Sequence, residues 1–180
     1  MFQIQKAQRE QLVGSIALMG PSGSGKTLGA LKIAKGMMDA KYGDTISEEQ
    51  KWEKVGVIDT EHRRSNIYAD NSKHGIGKFI FIDFQKPYTI DRFEAAINAL
   101  KDFGCEVIIT DSISHFWEGD GGILDLQQKY GGNFQAWRDT NPHYAEFVSL
   151  VTGEKYQLDM INCIRAKQAY EVSTNEVGKL

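Results

Sequence analysis

The sequence predicts an α/β fold in which a mainly parallel sheet is flanked by helices in three layers. Apolar runs of strand length alternate along the chain with amphipathic stretches of helical spacing. Most of these runs are apolar at successive positions, as strands covered on both faces require. A third observation is the stretch "GPSGSGKT" at Gly20–Thr27, which joins the first strand-like run to the first helix-like one. At 180 residues, 41% of them hydrophobic, the chain fits one domain spanning residues 1–180 with material for a real core.

Taken in order, "SIALM" at Ser15–Met19 reads as a buried strand. From Lys26 to about Ala40, the positions Leu28, Leu31, Ile33, Ala34, Met37 and Met38 recur at helical spacing and mark a core stripe. A polar loop, "KYGDTISEEQKWEK", leads to a second strand, "VGVID" at Val55–Asp59. "KFIFIDF" at Lys78–Phe84 is a third. Pro87 breaks the chain, and Thr89 is placed to cap the helix "IDRFEAAINALKDF", which ends at Gly104. "CEVIITD" at Cys105–Asp111 is a fourth strand, followed by the glycine-bearing stretch "HFWEGDGG". Helical patterns then run from about Ile123 to Tyr130 and from Tyr144 to Gln157, before a fifth strand, "DMINCI", at Asp159–Ile164. The tail "AYEVSTNEVGKL" reads as a hairpin or loop.

Composition narrows the classes. A net charge of −3 excludes a strongly basic nucleic-acid binder, although the clusters His62–Arg64 and Arg165–Lys167 are candidate phosphate contacts. No apolar run is long enough to span a membrane, and the N-terminus "MFQIQKAQRE" lacks the apolar segment of a secretory signal. Cys105 and Cys163 lie in or beside apolar runs, so buried, reduced thiols of a cytosolic protein are expected.

The glycine-rich stretch carries the chemistry. A phosphate chain needs several donors converging at close range, and backbone N–H groups supply them when a loop curls into a nest. Gly23 and Gly25 tolerate the backbone angles such a nest demands, and Gly20 lets the chain turn off the strand. The helix starting near Lys26 then directs its free N–H groups and positive dipole end at the anion. Lys26 can reach terminal phosphates, and the Thr27 hydroxyl can ligate Mg²⁺. This is the G-x-x-x-x-G-K-[ST] pattern between a strand and a helix, and it predicts a bound nucleoside triphosphate. Gly20, Pro21, Ser22, Gly23, Ser24, Gly25, Lys26, Thr27 and Leu28 are the expected contacts.

Two acids are sought beside it. Mg²⁺ needs a carboxylate at the end of a neighbouring strand, and Asp111 after "VIIT" fits, with Asp83 after "FIFI" ranked second. Glu61, at the end of "VGVIDTE", is placed to polarise a water molecule attacking the γ-phosphate. Asp59 is its rival, but alternation sends both to one side with Glu61 further out.

"GPSGSGKT", "IDTEHRRSNIYAD", "IITDS" and "INCIRAK", in that order, resemble the ATPase core of the RecA-like P-loop family. The resemblance implies that Glu61 is the water-activating glutamate and that Tyr68 stacks on adenine. It also implies that "INCIRAK" belongs to the γ-phosphate-sensing strand leading toward a DNA-binding loop. The chain is similar, more closely, to small phage-encoded members linked to single-strand annealing recombination, through "DSISHFWEGDGG", "NFQAW" and "RAKQAY". That likeness spans about Ile16 to Tyr170 and implies single-stranded DNA and homo-oligomeric rings or filaments as partners. The position that carries a glutamine sensor in RecA-like proteins falls at Cys163, so Arg165 or Lys167 takes over γ-phosphate sensing. Ser65 stands where RecA itself has an acid near the adenine. The resemblance also implies further strands beyond Leu180, without which one sheet edge is uncovered.

Other residues carry plainer expectations. Asp111, Ser112, Ser114 and His115 crowd one strand end and are not expected to converge as a nucleophilic triad. Phe116 and Trp117 either stack on bases or pack the helix layer. His74, His143 and Trp137 are expected to be structural. Besides the ATPase, two readings remain: a small-molecule (nucleotide) kinase, and an annealing or assembly module that binds ATP with little turnover.

Overall fold

The computed structural model describes Lys6 and residues 12–166; Lys167 and the tail "AYEVSTNEVGKL" lie outside the described residues. Five strands form one all-parallel sheet: β1 (Ser15–Gly20), β2 (Val55–Asp59), β3 (Ile80–Asp83), β4 (Val107–Asp111) and β5 (Asp159–Arg165), in the order β1-β5-β4-β2-β3. The helices are α1 (Lys26–Tyr42), α2 (Glu48–Glu53), α3 (Ile90–Phe103), α4 (Ser114–Glu118), α5 (Ile123–Lys129) and α6 (Trp137–Val151). Short 3-10 turns at Arg64–Tyr68, Ser72–His74 and Phe134–Ala136 fill the connections.

Alternation along the central strands divides the core in two. Val107 and Ile109 of β4 face α1 and α2, packing with Leu31, Ala34, Met38 and Trp52. Ile108 faces the opposite layer, with Phe93, Ile97 and Leu100 of α3, Phe116 of α4, Ile123 of α5 and Phe147 and Leu150 of α6. Every residue of β2 and β4 is buried, which is why both read as continuous apolar runs. Among the described residues no helix is long and apolar enough to cross a membrane.

The edges differ from the centre. In β1 the residues Ser15, Ala17 and Met19 are exposed while Ile16 and Leu18 are half-buried, so only one face is covered. Among the described residues β1 pairs with β5 alone. Gly56 in β2 faces Leu100: a Cβ there would come within 2.9 Å of Leu100 Cδ1, so the missing side chain sets how closely α3 approaches.

Several elements depart from the sequence expectations. The "polar loop" contains α2, opened by a capping box in which Ser47 Oγ accepts from Gln50 N–H and Gln50 Oε1 accepts from Ser47 N–H. The first four residues of "HFWEGDGG" belong to α4, anchored by fully buried Phe116. The helix expected at Tyr144–Gln157 begins earlier, at Trp137, and ends at Val151, with Pro142 inside it. Pro142 lies in the helix's second turn, where its missing N–H forfeits a single ladder bond. The third strand is shorter than Lys78–Phe84, and Thr89 is the N-cap of α3 but makes no side-chain cap bond. Cys105 and Cys163 are buried free thiols.

Candidate functional site

The parallel order carries the ends of β1, β2, β4 and β5 to one edge, and a cleft opens there. It is lined by Ser22, Gly23, Ser24, Gly25, Lys26 and Thr27 from the loop after β1, and by Glu61, Arg64, Ile67 and Tyr68 after β2. Asp111 and Ser112 at the end of β4 and Arg165 at the end of β5 complete it. The cations Lys26, Arg64 and Arg165 thus face the acids Glu61 and Asp111 across one opening.

Backbone geometry explains the loop's composition. Gly23 and Gly25 sit at φ of 80° and 84°, in the left-handed region that side chains avoid. Gly20 serves otherwise than expected. It is the last residue of β1 rather than the turn, and a Cβ on it would meet Ser24 Oγ at 2.6 Å. In α1 the first backbone bond runs from Gly29 N–H to Gly25 O (2.8 Å), so the N–H groups of the preceding turn lie outside the helical ladder. No acidic residue occupies that first turn. The helix end therefore presents donors and partial positive charge to the cleft without an internal counter-ion.

Lys26 Nζ folds back and donates to Gly20 O and Pro21 O, both at 2.8 Å. An ammonium has three donors, so with two on carbonyls an anion in the cleft has one N–H of Lys26 to take. Gly20 and Pro21 thus contribute carbonyls behind the cleft rather than lining it. Leu28, also expected as a contact, packs its side chain against the core on the α1 side.

Thr27 Oγ1 donates to Asp111 Oδ2 at 2.5 Å. Asp111 is 5% exposed, and burial pushes its carboxyl above the ordinary range, only partly offset by the Thr27 hydrogen bond. A hydroxyl and a carboxylate side by side are hard oxygen donors of the kind Mg²⁺ takes when most of its remaining ligands are waters and phosphates. Among the described residues there is no group of three or more His, Cys, Asp and Glu side chains able to hold a metal by itself. Asp83, the second candidate, is on edge strand β3 and pairs with Arg63 Nε at 2.8 Å, away from the cleft.

Glu61 and Asp59 divide their expected roles. Asp59 is buried and accepts from Glu61 N–H (2.7 Å) through one oxygen and from Ser65 N–H (2.8 Å) and Ser65 Oγ (2.5 Å) through the other. It is a brace for the turn after β2. Glu61 projects into the cleft, where Arg165 Nη2 donates to both of its carboxylate oxygens at 2.9 and 2.7 Å. Tyr68 and Ile67, in the 3-10 turn that Asp59 helps to hold, line the far side.

Cys163 is fully buried, paired in register with Asp111, and its thiol is pushed well up by burial. Arg165, two residues on, is the member of that strand that reaches the cleft.

Some contributors escaped the sequence reading. Thr60 Oγ1 accepts from Ser112 N–H (2.8 Å), donates to Ser112 O (3.0 Å) and meets His115 Nδ1 at 2.7 Å. With its proton on Ser112 O, Thr60 satisfies all three contacts when His115 carries its proton on Nδ1. Thr60 thereby ties the ends of β2 and β4 together beneath Glu61 and Asp111. Ser112, Ser114 and His115 act in this bracing and form no triad. Phe116 is core; Trp117 is half-buried and stacks on Trp137, also half-buried, with ring centroids 6.2 Å apart. Only the position of Thr60 between two strand-end acids hinted at such a role.

No protein-family model matches the chain, and no curated protein does.

Proposed function

We propose that this protein is a RecA-like P-loop ATPase that binds Mg·ATP and couples its hydrolysis to work on single-stranded DNA. The observation that carries the reading is the convergence, on one cleft, of the glycine loop with Lys26, the Thr27–Asp111 pair and Glu61. The loop N–H groups and Lys26 bind the β- and γ-phosphates and stabilise charge on the oxygens that gain it during transfer. Thr27 and Asp111 hold a magnesium ion, which neutralises phosphate charge when bound. Glu61 orients a water in line with the γ-phosphorus and accepts its proton. Arg165 contacts the terminal phosphate, and Tyr68 stacks on the adenine.

The DNA part rests on the family resemblance and on one surface feature. Beside the cleft, Trp117 and Tyr144, with Ile113, Ile164 and the buried Phe147, line a groove that Arg165 and Glu118 border. Aromatic faces beside a cation are the materials of a base-stacking platform. Among the described residues the outer edge of β1 has no partner strand, which supports assembly into rings or filaments, because an open strand edge accepts a partner.

The test is ATP turnover, with and without single-stranded DNA, for the wild type, Lys26→Ala and Glu61→Gln. Lys26→Ala is expected to lower turnover by about 100-fold or more. Glu61→Gln should lower it by roughly 100- to 10,000-fold while nucleotide still binds. Unchanged turnover in both variants would overturn the reading. Turnover that requires a nucleoside monophosphate would identify a kinase instead.

A further inference from the structure

We infer that Arg165 is a positioning residue that clasps Glu61 in the nucleotide-free protein and releases it to a terminal phosphate. The trigger rests on the ATPase reading; the clasp does not. One guanidinium nitrogen, Nη2, straddles both oxygens of Glu61 at 2.9 and 2.7 Å. A carboxylate held through both oxygens is turned toward the arginine and has one acceptor site on each oxygen taken. Arg64 Nη1 stands 3.9 Å from Oε2 of the same carboxylate, so its orientation is set by cations rather than by a water in line with a phosphate. The pair joins the ends of β2 and β5, which are not neighbours: β4 lies between them, and its terminal Asp111 sits under the bridge. Each partner is fixed at its backbone, Glu61 N–H on Asp59 Oδ1 (2.7 Å) and Arg165 N–H on Ser114 Oγ (3.0 Å). The clasp is therefore set by strand ends and not by chance meeting of long side chains.

It is also built to yield. The Arg165 side chain is 43% exposed against 13% for Glu61, so solvent keeps the pair weak on the arginine side. A phosphate oxygen arriving between Lys26 and Arg165 offers the guanidinium a stronger, charge-assisted partner. A diphosphate on the same loop ends one phosphate short of that place. Arg165 thus makes the alignment of Glu61 conditional on a triphosphate.

The pairing is tested without nucleotide by thermal unfolding of wild type, Arg165→Gln, Glu61→Gln and the double variant at low and high salt. Each single change should lower Tm by roughly 1–3 °C, and the double variant by no more than one single. High salt should erase the difference. Additive losses would overturn the clasp whatever the nucleotide results. The release is read from the Arg165 side-chain Nε–H resonance, assigned by its absence in Arg165→Lys. Saturating Mg·ADP should leave it at its nucleotide-free position, and a non-hydrolysable Mg·ATP analogue should move it. A bound analogue that leaves the resonance in place overturns the release. If the wild type binds neither nucleotide, the release falls together with the ATPase reading while the Tm coupling still stands, which tells the two failures apart.

Discussion

At Asp111 two requirements meet in one side chain. Burial at the end of β4 places it accurately but raises the cost of its charge, and the Thr27 hydroxyl is the neighbour that offsets part of it. Removing that neighbour separates position from charge. Thr27→Ala is expected to leave the fold intact and to raise the magnesium concentration for half-maximal turnover by about tenfold or more, as a titration of activity would register. Ser65 poses the complementary case. It is fully buried and gives both N–H and O–H to Asp59, so an acid placed there would face a second carboxylate. Ser65→Asp should cost about 3–5 kcal/mol in a denaturant titration, as an uncompensated buried charge does.

Elements reach the site through close packing rather than through long loops. Helix α3 lies against β2 over Gly56, with Leu100 only 2% exposed. Gly56→Ala would drive a methyl group into Leu100, and neither the strand nor the helix can retreat without opening the core. The expected loss is about 1–3 kcal/mol, measurable by chemical denaturation. Helix α4 depends on packing in another way. It has five residues, too few to persist alone, and Phe116 holds it through contacts with Phe84 and Phe93 at ring separations of 5.0 and 4.2 Å. That anchorage is what keeps Ser114 and His115 in place beside Arg165 and Thr60.

Across the molecule, acid stability follows from which carboxyls the fold pulls down. Lys35 and Lys51 lower Asp39 and Glu48, and Lys155 and Tyr156 lower Glu94. At Glu106 burial acts upward, but hydrogen bonds from Lys41 and Tyr42 outweigh it. A carboxyl with a depressed folded value contributes stability that is complete above its ordinary value, 3.8 for Asp and 4.5 for Glu, and lost as pH falls through the folded value. Asp111, raised by burial, has the opposite sign and gains as pH falls. Lys129 and the Gly121 N–H lower Asp125 as well, and five lowered carboxyls against one raised predict a Tm that declines steadily below pH 4.5. A Tm that stays level or rises through this range would contradict the ion-pair assignment.

Strand positions were legible because β2, β4 and β5 are buried on both faces and burial demands unbroken apolar runs. The loop's glycines were legible because positive φ at Gly23 and Gly25 excludes side chains there. The capping box at Ser47 was equally local, yet the charged run around it read as loop, and Pro142 hid the start of α6 by looking like a boundary. Which of two neighbouring acids enters the cleft was not a local matter. Asp59 and Glu61 share a face of the chain, and only Ser65, folding back onto Asp59, assigns one to bracing and leaves the other to meet Arg165. Sequence alone determined the elements and the loop, since those rest on periodicity and backbone freedom within a few residues. Tertiary structure decided the partners, since Arg165 and Glu61 are 104 residues apart and meet only because the sheet order sets β5 and β2 on either side of β4.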